Sequence, residues 1–226
     1  MVGGPPGAEM IEGIEIRVDR EAVVVRARSP LRVVSSAAVG GGLGEVRAIV
    51  NLHVPKHYSC ADPEADVALF CRERGIPAPW VGLLTSAWTE KAELSIEAAH
   101  GITVLAVVTV GLGNPVTAGV SPVAVGPPST INTIAVIDGD PEPGALVNAV
   151  ITATEAKMLA LAETGIRSPE GALASGTSTD AVVIAATGRG RSCRFGGPAS
   201  ELGWIVARAV GAAVGKGIRR WTADHA

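Results

Sequence analysis

The sequence predicts a single α+β domain in which long helices cover, in layers, a mixed and largely antiparallel sheet. Three observations support that reading. The first fifty residues run in short β-branched stretches broken by Gly and Pro, two later segments each carry a helix start signal and a stopping glycine, and the apolar runs between them have strand length. A chain of 226 residues with 47% hydrophobic residues is long enough to bury a substantial core, and it shows no repeat, low-complexity linker or composition shift that would mark a boundary. The expected organisation is a loose tail over 1–10 followed by one domain over 11–226.

From the N-terminus, Ile14 to Val18 alternates apolar and charged residues, Glu21 to Arg28 carries a valine run, and Leu31 to Val34 follows Ser29-Pro30. Together they predict an antiparallel meander. Gly40, Gly41, Gly42 and Gly44 break the pattern before Val46 to Val50 resumes it. In "DPEADVALFCRERG", Asp62 is placed as an N-cap, Pro63 at the first helical position and Gly75 beyond the end, which predicts a helix. A second helix is expected after Thr89, reaching His100-Gly101, and then strands over Thr103 to Val110 and Thr130 to Ile137. Asp140-Pro141 opens a long helix that stops at Gly165, with Ala145, Ala149, Ala153, Ala156 and Ala160 on one close-packing face. Asn148, Thr152 and Glu155 form a polar stripe on that helix, either solvated or lining a cleft. Ala181 to Ala186 reads as a strand and Ser200 to Ile218 as a last helix with a small-residue face of Ala207, Gly211 and Gly215.

Composition excludes several classes of function. Net charge is −3 with both signs interspersed, so no basic stripe exists to follow a phosphate backbone, and nucleic acid is not an expected partner. The uncharged stretch from Gly101 to Ile137 is interrupted by Asn114, Pro115, Pro122, Pro127 and Pro128, and the N-terminus has neither a basic nor an apolar signal region. No membrane partner is therefore expected. Cys60, Cys71 and Cys193 match no disulfide framework or paired zinc motif. Free thiols fit a cytoplasmic protein.

Three constellations could carry chemistry. His53, His57, Cys60 and Asp62 offer zinc-type ligands, but Pro55 spoils the helical spacing that two histidines need, so no metal is expected. The glycines at 40–44 match no nucleotide signature and read better as a bulge or a close backbone approach to a ligand, presenting Ser35 and Ser36 at a strand end. No GxSxG elbow is present. The stretch "GTSTDAVVIAATG" places Thr177, Ser178, Thr179 and Asp180 after a flexible Gly176: either a polar turn that starts a buried strand, or hydroxyls beside an acid at an active site.

Three ordered stretches carry a family resemblance: "LRVVSSAAVGGGLGEVRAIVNLHVPKHYSCADPEADVALFCRERG", "STINTIAVIDGDPEPGALVNAVITATEAKMLALAETGI" and "GTSTDAVVIAATG" followed by "RFGGPASELGWIVARAV". Over roughly 30–220 the chain resembles the adenosylcobinamide amidohydrolases. That resemblance implies hydrolysis of the amide joining aminopropanol to the corrin-ring propionate of adenosylcobinamide, giving adenosylcobyric acid for corrinoid salvage. Under this reading no cofactor is required, because the cobalt arrives with the corrinoid substrate.

Amide hydrolysis requires a hydroxyl or water, a base, an acid for the leaving amine, and oxyanion donors. We expect Asp180 as base or orienting carboxylate, Ser178 or Thr177 as the nucleophile or water-positioning hydroxyl, and Asn132 as the oxyanion donor, with Ser36 as a competing nucleophile. Ser35, Gly41, Gly42, Asn51, Tyr58 and Thr179 are expected to contact substrate. Lys157 reads as a solvated helix lysine, or else as a partner for a substrate phosphate. Any of Trp80, Trp88, Trp204 and Trp221 exposed in a cleft would be a candidate contact for the ring. Two other readings stay open, a non-catalytic corrinoid carrier or regulator and a self-processing amidase or aminopeptidase, as does homo-oligomerisation.

Overall fold

The computed structural model describes residues 8–58, 61–123 and 129–225. Ala8–Ile11 (β1) pairs antiparallel with Ile14–Val18 (β2), so regular structure begins inside the segment expected as a tail. The two runs read as separate strands at 21–28 and 31–34 are one long strand, Ala22–Ser35 (β3). Its pairing with Gly42–His53 (β4) skips between Arg26 and Leu31, where Pro30 has no N–H to offer the ladder. This irregularity divides β3: its first half borders β2 and its second half borders Ala181–Ala186 (β12).

Pro63–Glu73 (α1) begins as expected, with the Asp62 carboxylate accepting from the Ala65 N–H at 2.9 Å. It returns the chain to Trp80–Thr85 (β5), a strand the sequence reading did not anticipate, parallel to β4. The helix expected after Thr89 is absent. A single 3-10 turn over Thr89–Lys91 leads into Glu93–Ala99 (β6), which pairs antiparallel with Ile102–Val110 (β7). His100 and Gly101, read as a helix end, both have positive φ (53° and 72°) and form the two-residue loop of a hairpin.

Pro115–Val116 (β8) follows, then Ile131–Asp138 (β9). Asp140–Pro141 (β10) does not start the next helix but bridges to Ser192–Cys193 (β13), and Pro143, not Pro141, takes the first turn of Pro143–Glu163 (α2). The stop at Gly165 stands, with φ 71° and its N–H on Ala162 O. Gly176–Thr177 (β11) pairs with β8. The last helix, Glu201–Asp224 (α3), is capped by Ser200 and runs past Ile218.

Among the described residues the result is a mixed sheet, nearly closed into a barrel, with three α-helices. Its main path runs β1-β2-β3-β12-β9-β7-β6, with β4 and β5 extending from β3. Leu31, Ile49, Leu83, Leu105 and Ile134 meet in the interior between the two halves of the sheet. On the outside, α2 and α3 cover β6, β7, β9 and β12, while α1 covers β3, β4 and β5 through Val67 and Cys71. β7, β9 and β12 are thus buried on both faces, which is why their sequences read as unbroken apolar runs.

All five alanines of the predicted α2 face are buried. Gly196 lies so near this helix that a Cβ there would come within about 3 Å of the Ala145 carbonyl carbon and the Ala149 nitrogen. Overpacking such a contact costs roughly 1–3 kcal/mol. On α3 the expected small-residue face is only partly in the contact: Gly215 is buried, Ala207 and Gly211 are half-buried, and Leu202, Ile205, Val206, Ala209 and Val210 form the main buried stripe. By length and composition α2 could span a membrane, but half of its most apolar window is buried inside the fold.

Candidate active site

Gly176 and Thr177 are held by pairing with Val116 and Pro115, the chain turns through Ser178 and Thr179, and Asp180 then stands at the N-terminal end of β12. Register places Ala181 beside Asn132 and Val183 beside Ser35. The ends of β3, β9 and β12 therefore converge as expected.

Asp180 is the hub. Its Oδ1 accepts from the Ile131 N–H at 2.9 Å and from the Thr177 hydroxyl, and its Oδ2 accepts from the Thr177 N–H at 3.1 Å and from Lys157 Nζ. A carboxylate has about four lone-pair positions, and here all four have donors. Side-chain exposure is 8% for Lys157 and 11% for Asp180, so this ion pair is removed from water and its attraction is little screened. Gly176 makes the pairing possible, because a Cβ at 176 would lie 2.7 Å from Lys157 Nζ.

Lys157 is therefore not the solvated residue expected. The signal was present in the sequence: Lys157 follows Ala153 by four residues and precedes Ala160 by three, on the stripe of α2 that packs inward. A lysine on a buried stripe needs a carboxylate partner. The polar stripe of α2 divides likewise, with Asn148 and Glu155 exposed and Thr152 buried, its hydroxyl on Gly196 O at 2.9 Å.

Around this hub the other predicted residues fall into two groups. Ser178 is exposed, and its Oγ accepts from Asn114 Nδ2 at 2.7 Å. Thr179 gives its carbonyl to the Thr130 hydroxyl at 2.8 Å, and its own hydroxyl lies 3.3 Å from Ser129 O. Ser36 is exposed and clasps the start of β12, its N–H on Val182 O and its Oγ accepting from Val182 N, both at 3.0 Å. Ser35 is buried and accepts from Ala37 N, while Gly42 pairs opposite it and Gly41 has no room for a side chain, with Ala37 O only 2.6 Å from a Cβ there.

The second group lies within the fold. Asn132, 1% exposed, donates through Nδ2 to Asn51 Oδ1 at 2.8 Å and to Leu84 O at 2.9 Å. Asn51 donates in turn to the Thr109 hydroxyl, and the Thr130 hydroxyl stands 3.1 Å from Asn132 Oδ1. Both amide hydrogens of Asn132 are committed to protein acceptors. Tyr58 donates to Asp66 on α1. Asn114, Thr130 and Thr109 are members of this network that the sequence reading did not single out; each lies in or beside an apolar strand, where a lone polar residue must find a partner.

A cavity of about 430 Å³ adjoins the cluster through Ser129, whose carbonyl faces the Thr179 hydroxyl, and is walled by Trp88 and Trp221. Trp204 instead lies on the outer side of α3 under Arg208, and Trp80 packs beside α1. Of the metal-type constellation, His53 bonds Ala87 O and stacks on Trp88, Asp62 caps α1, and Cys60 lies outside the described residues. Among the described residues no group of three or more His, Cys, Asp or Glu could hold a metal.

Comparison with solved structures finds loose likenesses. The PH0078 protein of Pyrococcus horikoshii OT3 gives a TM-score of 0.47 at 14% identity, covering 97% of this chain and 82% of that one. A Burkholderia β-aminopeptidase gives 0.45 at 15% identity over 94% and 82%. The L-aminopeptidase D-Ala-esterase/amidase of Ochrobactrum anthropi gives 0.42 at 14% over 97% and 88%. Sequence is more informative. The adenosylcobinamide amidohydrolase of Methanosarcina mazei is 34% identical over 170 residues, 74% of this chain and 73% of its own length. The model of the CbiZ family, adenosylcobinamide amidohydrolase, matches residues 7–226, and with it every strand and helix that builds the Asp180 hub, so the chain belongs to the adenosylcobinamide amidohydrolase family.

Proposed function

We infer that this chain hydrolyses the amide between aminopropanol and the corrin-ring propionate of adenosylcobinamide, releasing adenosylcobyric acid for corrinoid salvage. Family membership supports the substrate. The observation that carries the chemistry is the buried contact of the Thr177 hydroxyl and Lys157 with one carboxylate, that of Asp180. A hydroxyl in reach of a base, with the base oriented by a third group, is the arrangement that activates a nucleophile. In this reading Thr177 Oγ1 adds to the amide carbon and its proton passes to Asp180. Lys157 holds the carboxylate in place through Nζ. Collapse of the tetrahedral adduct breaks the C–N bond, the amine leaves with the proton, and water cleaves the resulting ester to the acid.

Oxyanion donors come from the backbone of the Ser178–Thr179 turn, because the hydrogens of Asn132 are already taken. Ser178 with Asn114, and Ser36 at the rim, receive the substrate's amides. The chain acts as a layered α+β enzyme in the cytoplasm on a small corrinoid, with neither nucleic acid nor membrane as partner, and the reaction needs no resident cofactor.

The test is incubation of purified protein with adenosylcobinamide, following adenosylcobyric acid by chromatography, alongside folded Asp180→Ala and Thr177→Val variants. Product from wild type alone is expected. Tight binding without product in the wild type would establish a carrier instead, two fragments by intact mass would establish self-processing, and full activity in both variants would move the chemistry away from β12.

A further inference from the structure

We propose that the cavity walled by Trp88 and Trp221 is a separate subsite for the adenosyl group of the substrate, which stacks its base against indole while the corrin ring stays outside. The proposal rests on the reading of this chain as a corrinoid amide hydrolase.

Size is the first argument. At about 430 Å³ the cavity lies toward the small end of the range for ligand sites, and it takes a nucleoside-sized group. A corrin ring with its rim of amides is far larger. The second argument is the lining. Trp88 is 56% exposed although it stands in a concave site, and it is braced on His53 with ring centroids 5.0 Å apart. Trp221 is braced on His225 at 4.1 Å. Rigid indoles at the wall of a nucleoside-sized cleft suit a flat heteroaromatic, which any base offers on both faces.

The rim supplies the third argument. Asp224 lines the cavity and is held by Lys91 at 2.8 Å, and that hydrogen bond keeps its carboxyl below the usual range, so it is an acceptor at neutral pH. An acidic side chain beside a stacked base is suited to ribose hydroxyls. Of the lining cations, Arg220 is engaged by Glu93 at 2.7 Å and Lys91 by Asp224 at 2.8 Å, which leaves Lys56 at the rim as a further donor.

Position completes the case. The scissile amide is on a side chain of the ring, whereas the adenosyl group stands on the ring's face, so one substrate needs two pockets with a common wall. Ser129 and Gly111 form such a wall: Ser129 O faces the Thr179 hydroxyl and Gly111 N–H bonds Thr130 O, on the strand ends that build the Asp180 hub.

The experiment compares adenosylcobinamide with methylcobinamide as substrates for wild type, Trp88→Ala, Trp88→Phe and the remote Trp204→Ala, and separately measures binding of 5′-deoxyadenosine by tryptophan fluorescence quenching. Wild type is expected to favour the adenosyl substrate through KM. Trp88→Ala should raise that KM about ten-fold, abolish the preference and 5′-deoxyadenosine binding, and change the KM for methylcobinamide much less than that for adenosylcobinamide, while Trp88→Phe restores most of the difference and Trp204→Ala changes nothing. Equal losses on both substrates, or amide cleavage with no adenosyl preference and no 5′-deoxyadenosine binding, would overturn the subsite while leaving the reaction intact. Specific 5′-deoxyadenosine binding without cleavage of either corrinoid would do the reverse.

Discussion

Replacing Lys157 by Met tests the central claim about the site without touching the predicted nucleophile. Met nearly matches the length of the lysine stem but removes the charge, leaving Asp180 with three donors: the Thr177 N–H, the Thr177 hydroxyl and the Ile131 N–H. Breaking a buried ion pair from one side costs roughly 3–5 kcal/mol, and the remaining donors put this case at the low end, about 3 kcal/mol. For a chain of this size each kcal/mol lowers Tm by about 2–4 °C, so the variant should melt about 6–12 °C below wild type. The double variant Lys157→Met with Asp180→Asn strands no charge and should lose less than the sum of the two singles. Thermal unfolding followed by circular dichroism reads both quantities. A Lys157→Met variant melting within 2 °C of wild type would show the pair to be as weak as a surface salt bridge and would refute the argument.

Gly176→Ala should abolish product formation even if the protein folds, since its Cβ would press on the Asp180 carboxylate and on Lys157; wild-type turnover would mean that the pair is dispensable. Asn132→Leu strands Asn51 Oδ1 and Leu84 O, and urea titration should show a loss of about 1–3 kcal/mol, with no loss meaning that the buried amide network adds nothing. Burial raises the Cys71 thiol from 9.0 to about 11, so the native fold retains that proton where the unfolded chain loses it. Stability from this group is complete below pH 9 and drains away as pH rises toward 11; Cys71→Ala should flatten that alkaline slope in chemical denaturation. Alkylation of native protein at pH 8 with peptide mapping should likewise leave Cys71 and Cys193 unlabelled, both being buried.

Much of this fold was legible where local chemistry and burial agreed. The strands at 102–110, 131–138 and 181–186 announced themselves as apolar runs because both their faces are covered, and α1 carried its own cap and stop. Where an element's partners are remote, the sequence misled. "ELSIEAAHG" reads as helix by composition, yet edge pairing with β7 and the two positive-φ residues of its turn make it a hairpin arm. Asp140-Pro141 resembled a helix start, but Arg32 takes the Asp140 carboxylate and β13 takes the backbone. In the proposed site, "GTSTD" is legible from its hydroxyls and acid, while Lys157 becomes legible only through its helical phase on the buried stripe of α2. The commitment of Asn132 to Asn51 and Leu84 is a long-range fact that no local pattern encodes.

The donors around Asp180 come from residue 131, residue 157 and the adjoining turn at 177, while Ser36, 146 positions away from Val182, fastens the strand on which Asp180 stands. All four donors lie within residues 131–180, but the strand that carries Asp180 is fastened from residue 36, outside that segment. Bringing Ser36 to Val182, 146 positions away, is slow and entropically costly, so the proposed catalytic centre is among the last things a refolding chain can complete. Catalytic competence should then return after secondary structure during refolding and should disappear first under mild denaturant, which makes turnover a more sensitive gauge of structural integrity in this protein than any spectrum of its backbone.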